Sequence, residues 1–106
     1  MKLDRECRRL LIYSRLGTLS QLYFFDRDGV QYIDLKTETG LKDSFLGPQL
    51  KWLEDKRYIR RKEESMDDKK EAVYYITDKG REKYKTVLDW LLSLPAIKTG
   101  IDTKAT

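Results

Sequence analysis

The chain has 106 residues, 40% of them hydrophobic and 38% charged, with a formal net charge of +4, which fits one domain with a single small core under a heavily charged surface. It has no histidine and one cysteine, Cys7. The commonest general base and metal ligand are therefore missing, and neither a structural zinc site nor an internal disulfide can form. Cys7 reads as a plain buried thiol in a reducing compartment. The N-terminal apolar run is too short for a signal peptide or membrane span, so the expected location is the cytoplasm.

In chain order, Leu3, Cys7, Leu10, Leu11 and Ser14 fall on one face of a helix, with arginines opposite, and predict a basic N-terminal helix over residues 1–14. The period continues through Leu16, Leu19, Leu22 and Tyr23. Thr18 and Gln21 have the form of a capping box, so the helix either restarts or bends at Gly17. Asp26-Arg27-Asp28-Gly29 signals a turn, and Val30 to Tyr32 a short edge strand. Asp34 is placed to cap a short helix that Gly40 ends in the left-handed position.

Leu46, Leu50 and Leu53 make the buried stripe of the next helix, expected to start near Asp43 or Ser44 and end near Arg57. Proline is tolerated in the first turn of a helix, so Pro48 points to an alternative: a regular start near Leu46 or Gly47, after an irregular lead-in. Trp52 lies beside the stripe and reads as the edge of a core. Two β-rich runs, Tyr58 to Lys62 and Ala72 to Thr77, flank the polar stretch Ser65 to Lys70 and predict a hairpin with a polar tip. Asp78 is placed to cap a last helix with a wide apolar stripe of Tyr84, Val87, Leu88, Leu91 and Leu92, joined by Trp90 and Leu94, before Pro95 stops it. Residues 95–106 lack periodicity and are expected to form a flexible tail. The fold class is thus α+β and mostly helical.

Helix, small strand, helix, helix, hairpin, helix is the winged-helix order, and the residues from Arg15 to Tyr84 carry a resemblance to a known family. RLGTLSQLYFFDRDGVQYIDLKTETGL resembles the first two helices of small MarR- and ArsR-like regulators. LGPQLKWLEDKRYIRRKE is similar to their third helix and first wing strand, and YYITDKGREKY to their second wing strand and closing Thr-x-x-Gly step. The resemblance implies one winged-helix domain over 1–94, with the helix-turn-helix and wing over 15–77 and a dimerisation helix over 78–94. It further implies a transcriptional regulator that binds double-stranded DNA as a homodimer, without a cofactor or metal. The runner-up is a winged-helix protein-interaction module; nothing in the residues points to an enzyme.

On that pattern the third helix offers Ser44 and Lys51 to DNA, with Gln49 as a third contact if it is not turned inward. The hairpin offers Arg60, Lys62, Lys69 and Lys70 to the backbone. Gly47 and Pro48 stand where the family presents small polar and basic side chains, so base readout is expected to be low and shape-dependent. Charge adds a constraint, since basic and acidic residues balance both from Val30 to Arg57 and from Tyr58 to Ala72. A neutral reading head predicts modest affinity unless the fold segregates the signs. The hairpin can do so, with Arg60 and Lys62 on one face and Arg61 and Glu63 on the other. The excess apolar surface predicts a dimer layer built from Leu3, Leu10, Tyr84, Val87, Leu88, Trp90, Leu91 and Leu94.

Overall fold

The N-terminal apolar residues reach the core by a different route from the helix that their spacing predicts. In the computed structural model, which describes residues 2–95, α1 is a single turn, Arg5–Arg8, capped by the Asp4 carboxylate accepting from the Cys7 N–H at 2.8 Å. The chain then tightens, with Leu10 N–H donating to Cys7 O and Leu11 N–H to Arg8 O, before Ile12 turns extended and α2, Tyr13–Phe25, begins. Leu3, Cys7 and Leu10 are all buried. Burial was legible and continuity was not, because one turn places these three inward as well as a long helix does.

Gly17 neither restarts nor bends the helix. It sits inside α2, where the unbroken burial of Thr18, Leu19 and Leu22 holds the helix on the core. Thr18 is no cap either, since its hydroxyl donates to Ser14 O at 2.7 Å from mid-helix. A short 3-10 turn, Asp26–Asp28, leads into β1, Val30–Gln31, and then α3, Tyr32–Thr39. The N-cap of α3 is Gln31, in extended conformation, and not Asp34, which falls in the first turn. Gly40 takes the expected left-handed conformation (φ 70°) and returns its N–H to Lys36 O at 3.0 Å.

Helix α4 runs Asp43–Asp55 and is regular from its first residue, so the irregular lead-in is not seen. Pro48 lies inside the helix, where it can give no N–H to the Ser44 carbonyl. The buried stripe of Leu46, Leu50 and Leu53 stabilises the helix against that loss. The helix stops two residues early because Arg57 adopts a left-handed conformation (φ 64°) and sends Tyr58 N–H back to Leu53 O.

The hairpin is longer than the β-rich runs suggest: β2 is Ile59–Met66 and β3 is Lys69–Ile76. Only Asp67 and Asp68 form the tip, both at positive φ (51° and 66°). A two-residue turn with that geometry matches the twist of the strands it joins, and Asp is among the residues that tolerate it. The sheet is antiparallel in the order β1-β3-β2, with Val30 opposite Tyr74 and Arg60 opposite Tyr75.

The last helix, α5, spans Asp78–Ser93. Thr77, not Asp78, is its cap: the Thr77 hydroxyl accepts from Gly80 N–H at 3.1 Å and donates to Arg57 O at 2.6 Å. This ties the start of α5 to the end of α4. A Cβ on Gly80 would sit 2.0 Å from the Tyr58 carbonyl oxygen, so the helix enters against the root of the wing at a distance only glycine allows. Leu10, Leu19, Leu22, Leu35, Leu46, Leu53, Tyr58 and Val87 fill the core between helices and sheet. The expectation of a flexible tail over 95–106 falls outside the described residues, except for Pro95.

Candidate nucleic-acid interface

Burial of Leu46, Leu50 and Leu53 turns the opposite side of α4 outward. Ser44, Phe45, Pro48 and Lys51 are all exposed there. Lys51 has its side chain 79% accessible and its ammonium 3.6 Å from Asp55, a pair in high dielectric that holds it weakly. Gln49 is turned inward: its Oε1 accepts from Arg15 Nε at 2.7 Å. It locks α2 to α4 and so does not meet the condition, an outward side chain, on which it was expected to face DNA.

Arg15 is the centre of that lock. A second nitrogen donates to Arg9 O at 2.8 Å, and the guanidinium lies 3.9 Å over the Trp52 ring. Burial first, then the neighbouring Arg9, lowers the Arg15 pKa. Trp52 is half-buried at the edge of the core, as its position predicts, and Tyr58 meets it edge-on. At the front of α4, Asp43 accepts from the Tyr32 hydroxyl at 2.5 Å and pairs with Lys36 at 3.0 Å. These contacts, the tyrosine first, hold its carboxyl below the usual aspartate value, while Tyr32 is pushed up to about 12. The acidic front residue therefore stays ionised, with its charge paired to Lys36 at the surface.

Register divides the wing's cations between two faces without separating the signs, because Glu64 and Glu71 stand opposite each other on the face of Arg60, Lys62 and Lys69. Cross-strand partners share a face, so Arg60, Lys62 and Lys69 stand together with Tyr75, whereas Lys70 lies opposite Ser65 on the other face with Arg61 and Glu63. The four hairpin cations predicted to act together are thus split three to one. Arg60 and Lys62 lie 5.2 and 5.7 Å from the Tyr75 ring centre, at the root of the wing. Glu64 accepts the Tyr75 hydroxyl and separates that pair from Lys69 at the tip. Glu64 also lines a cleft of about 300 Å³ with Asp28, Asp34 and Glu38, a surface that repels phosphate.

The predicted dimer layer divides in the same way. Leu3, Leu10 and Val87 are buried in the chain's own core, because α5 packs on both α1 and α2. They are not free surface. Tyr84 is half-buried, donates to Ser20 Oγ at 2.9 Å and packs on Tyr23 with ring centres 4.6 Å apart, fixing α5 to α2. What remains open is the end of α5: Leu88, Trp90, Leu91 and Leu94 are half-buried and Leu92 is 54% exposed. Leu11 and Trp90 share a shallow cleft between α1 and α5, and Ile12 beside Leu11 is exposed. Burial pushes the Cys7 thiol up, which leaves it protonated and unreactive.

Sequence reasoning missed Phe45, which is 59% exposed on the first turn of α4. It falls outside the Leu46, Leu50, Leu53 stripe, and an aromatic residue off the stripe of a short helix was the signal available.

A three-helix core, a two-residue β1 and a long two-stranded wing define a winged-helix domain. The family model described as a winged helix DNA-binding domain matches residues 14–94, and the chain belongs to that family. Comparison with curated protein sequences gave no match. Among solved structures, the Staphylococcus aureus MepR–DNA complex superposes with a TM-score of 0.68 at 18% identity, covering 92% of this chain and 84% of that one. MepR described as a transcription regulator of the S. aureus multidrug efflux pump MepA gives 0.62 at 20% identity, covering 96% and 79%. A MarR-family transcriptional regulator from Silicibacter pomeroyi gives 0.62 at 19%, covering 93% and 74%. At these identities the likeness is one of fold.

Proposed function

We propose that this chain is a transcriptional regulator that binds double-stranded DNA as a homodimer, with α4 in the major groove and the wing along the backbone. The observation that carries the reading is the open outer face of α4, where Ser44 and Lys51 are exposed. The wing adds a small positive excess, Arg60, Lys62 and Lys69 against Glu64 and Glu71 on the same face. MepR, similar in fold, is recorded in complex with DNA. Ser44 and Lys51 are the polar contacts of α4 to base edges or neighbouring phosphates, and the wing residues neutralise phosphate. The second copy covers the open end of α5 and the Leu11 corner, which places two α4 helices on one side of the duplex, about ten base pairs or a multiple apart. The protein acts where DNA is, in the cytoplasm, and the proposal assigns it no reaction.

Gel-shift titration of a mixed-sequence duplex across ionic strength tests this. Affinity should fall steeply and linearly in log salt, with a slope that counts the phosphates neutralised. Binding no tighter than to an acidic polymer at physiological salt would leave the open face of α4 as a protein-docking surface.

A further inference from the structure

The front of α4 carries apolar side chains where a DNA-reading helix needs base contacts. Phe45 is 59% exposed. Pro48 is exposed three residues later, next to it on the helix surface. Gly47 has no atom within 4 Å of the place a Cβ would occupy, so the helix backbone there can come close to a ligand. Of the polar neighbours, Asp43 is held by Tyr32 and Lys36 and Gln49 by Arg15, which leaves Ser44 and Lys51 facing out beside the pair.

In the major groove, the apolar group that a base pair projects is the 5-methyl of thymine, and a phenyl ring is among the side chains that contact it. Charge complementarity favours a nucleic acid over an apolar protein groove. Lys42 at the helix cap and Lys51 in the following turn are exposed on either side of the pair, and one wing face carries Arg60, Lys62 and Lys69 against Glu64 and Glu71. We propose that Phe45, with Pro48 beside it, reads thymine 5-methyl groups, so that sequences are distinguished by the placement of methyls more than by bidentate hydrogen bonds. This rests on the DNA-binding reading above.

The test deletes the methyl from the ligand. Alternating poly(dA-dT) and poly(dA-dU) duplexes present the same hydrogen-bonding groups and charge and differ only at thymine C5. Competition binding at fixed salt should show the unmodified protein preferring the thymine polymer by about fourfold for each methyl contacted. Phe45→Ser should abolish the preference, and Phe45→Leu should keep most of it. A measurement independent of any variant uses a mixed-sequence G·C duplex, in which replacing cytosine by 5-methylcytosine should tighten binding. Equal affinity of the unmodified protein for the two polymers, or a preference that survives in Phe45→Ser, overturns the proposal while DNA binding stands. Salt-insensitive or absent binding to both polymers overturns the DNA-binding reading itself, and the apolar front is then a protein contact.

Discussion

Adding one methyl group at Gly80 should unseat the wing from the helix that follows it. Gly80 is the third residue of α5, where alanine would by helix propensity alone be worth up to about 1 kcal/mol more than glycine. Opposing this, the new Cβ would lie 2.0 Å from the Tyr58 carbonyl oxygen and 2.9 Å from its carbon. Those atoms are backbone, and the oxygen also accepts from Thr77 N–H at 3.0 Å, so no side chain can swing aside to make room. Overpacking of this kind costs about 1–3 kcal/mol and more where backbone must move. The clash therefore outweighs the propensity, with a net loss of about 2 kcal/mol or more. For a domain of this size that lowers the melting temperature by roughly 10 °C. Thermal and urea unfolding of Gly80→Ala, followed by circular dichroism, measures it. A variant as stable as the unmodified protein would refute the close approach of α5 to the wing root.

Three further outcomes follow from the same geometry. Leu88→Lys combined with Leu91→Lys should convert a dimer to a monomer in sedimentation at about 50 µM, a concentration suited to a micromolar interface, whereas an unmodified protein already monomeric there removes the dimer. Lys69→Ala should lower the slope of log affinity against log salt by about one, Lys70→Ala on the opposite wing face should change it less, and Lys51→Ala should also alter sequence preference; equal effects for Lys69 and Lys70 contradict the split by register. Asp43 has a folded pKa below its ordinary value of 3.8, so the folded state binds fewer protons than the unfolded one between the two values. Its stabilising contribution is present above that ordinary value and fades as pH falls through the lower, folded one, so Asp43→Asn should flatten the acid limb of the stability curve measured by urea unfolding.

Most of the fold was legible because its elements bury side chains at regular spacing. Leu46, Leu50 and Leu53 give α4, and the β-rich runs on either side of Ser65 to Lys70 give the wing. Gly40 marks the end of α3 because a positive φ there strongly favours glycine. Errors cluster at the ends of elements, where periodicity says nothing. Thr77 and Asp78 are both good caps, and the choice fell to Thr77 because its hydroxyl also reaches Arg57 O across the chain. The break before α2 has the same origin, since the contacts of Arg15 with Arg9 O and Gln49 join parts of the chain that no local pattern connects.

The interface was half legible for a related reason. Which cations a hairpin presents together depends on register, and register here depends on a turn of only two residues, Asp67 and Asp68. Reading the tip as six residues long left Lys69 and Lys70 together; the shorter turn puts them on opposite faces because adjacent strand residues alternate. At α4 the sequence showed what the helix front lacks, hydrogen-bonding side chains at Gly47 and Pro48. It did not show what the front has, because exposure of Phe45 depends on which neighbours cover it. No partner covers it in the chain itself. About half a phenyl side chain left in water, worth roughly 1 kcal/mol of unrealised burial, stands in the first turn of the helix proposed to enter the major groove. An outward-facing ring in that turn is better explained by a ligand than by folding, since a polar residue at position 45 would leave the core of Leu46, Leu50 and Leu53 intact.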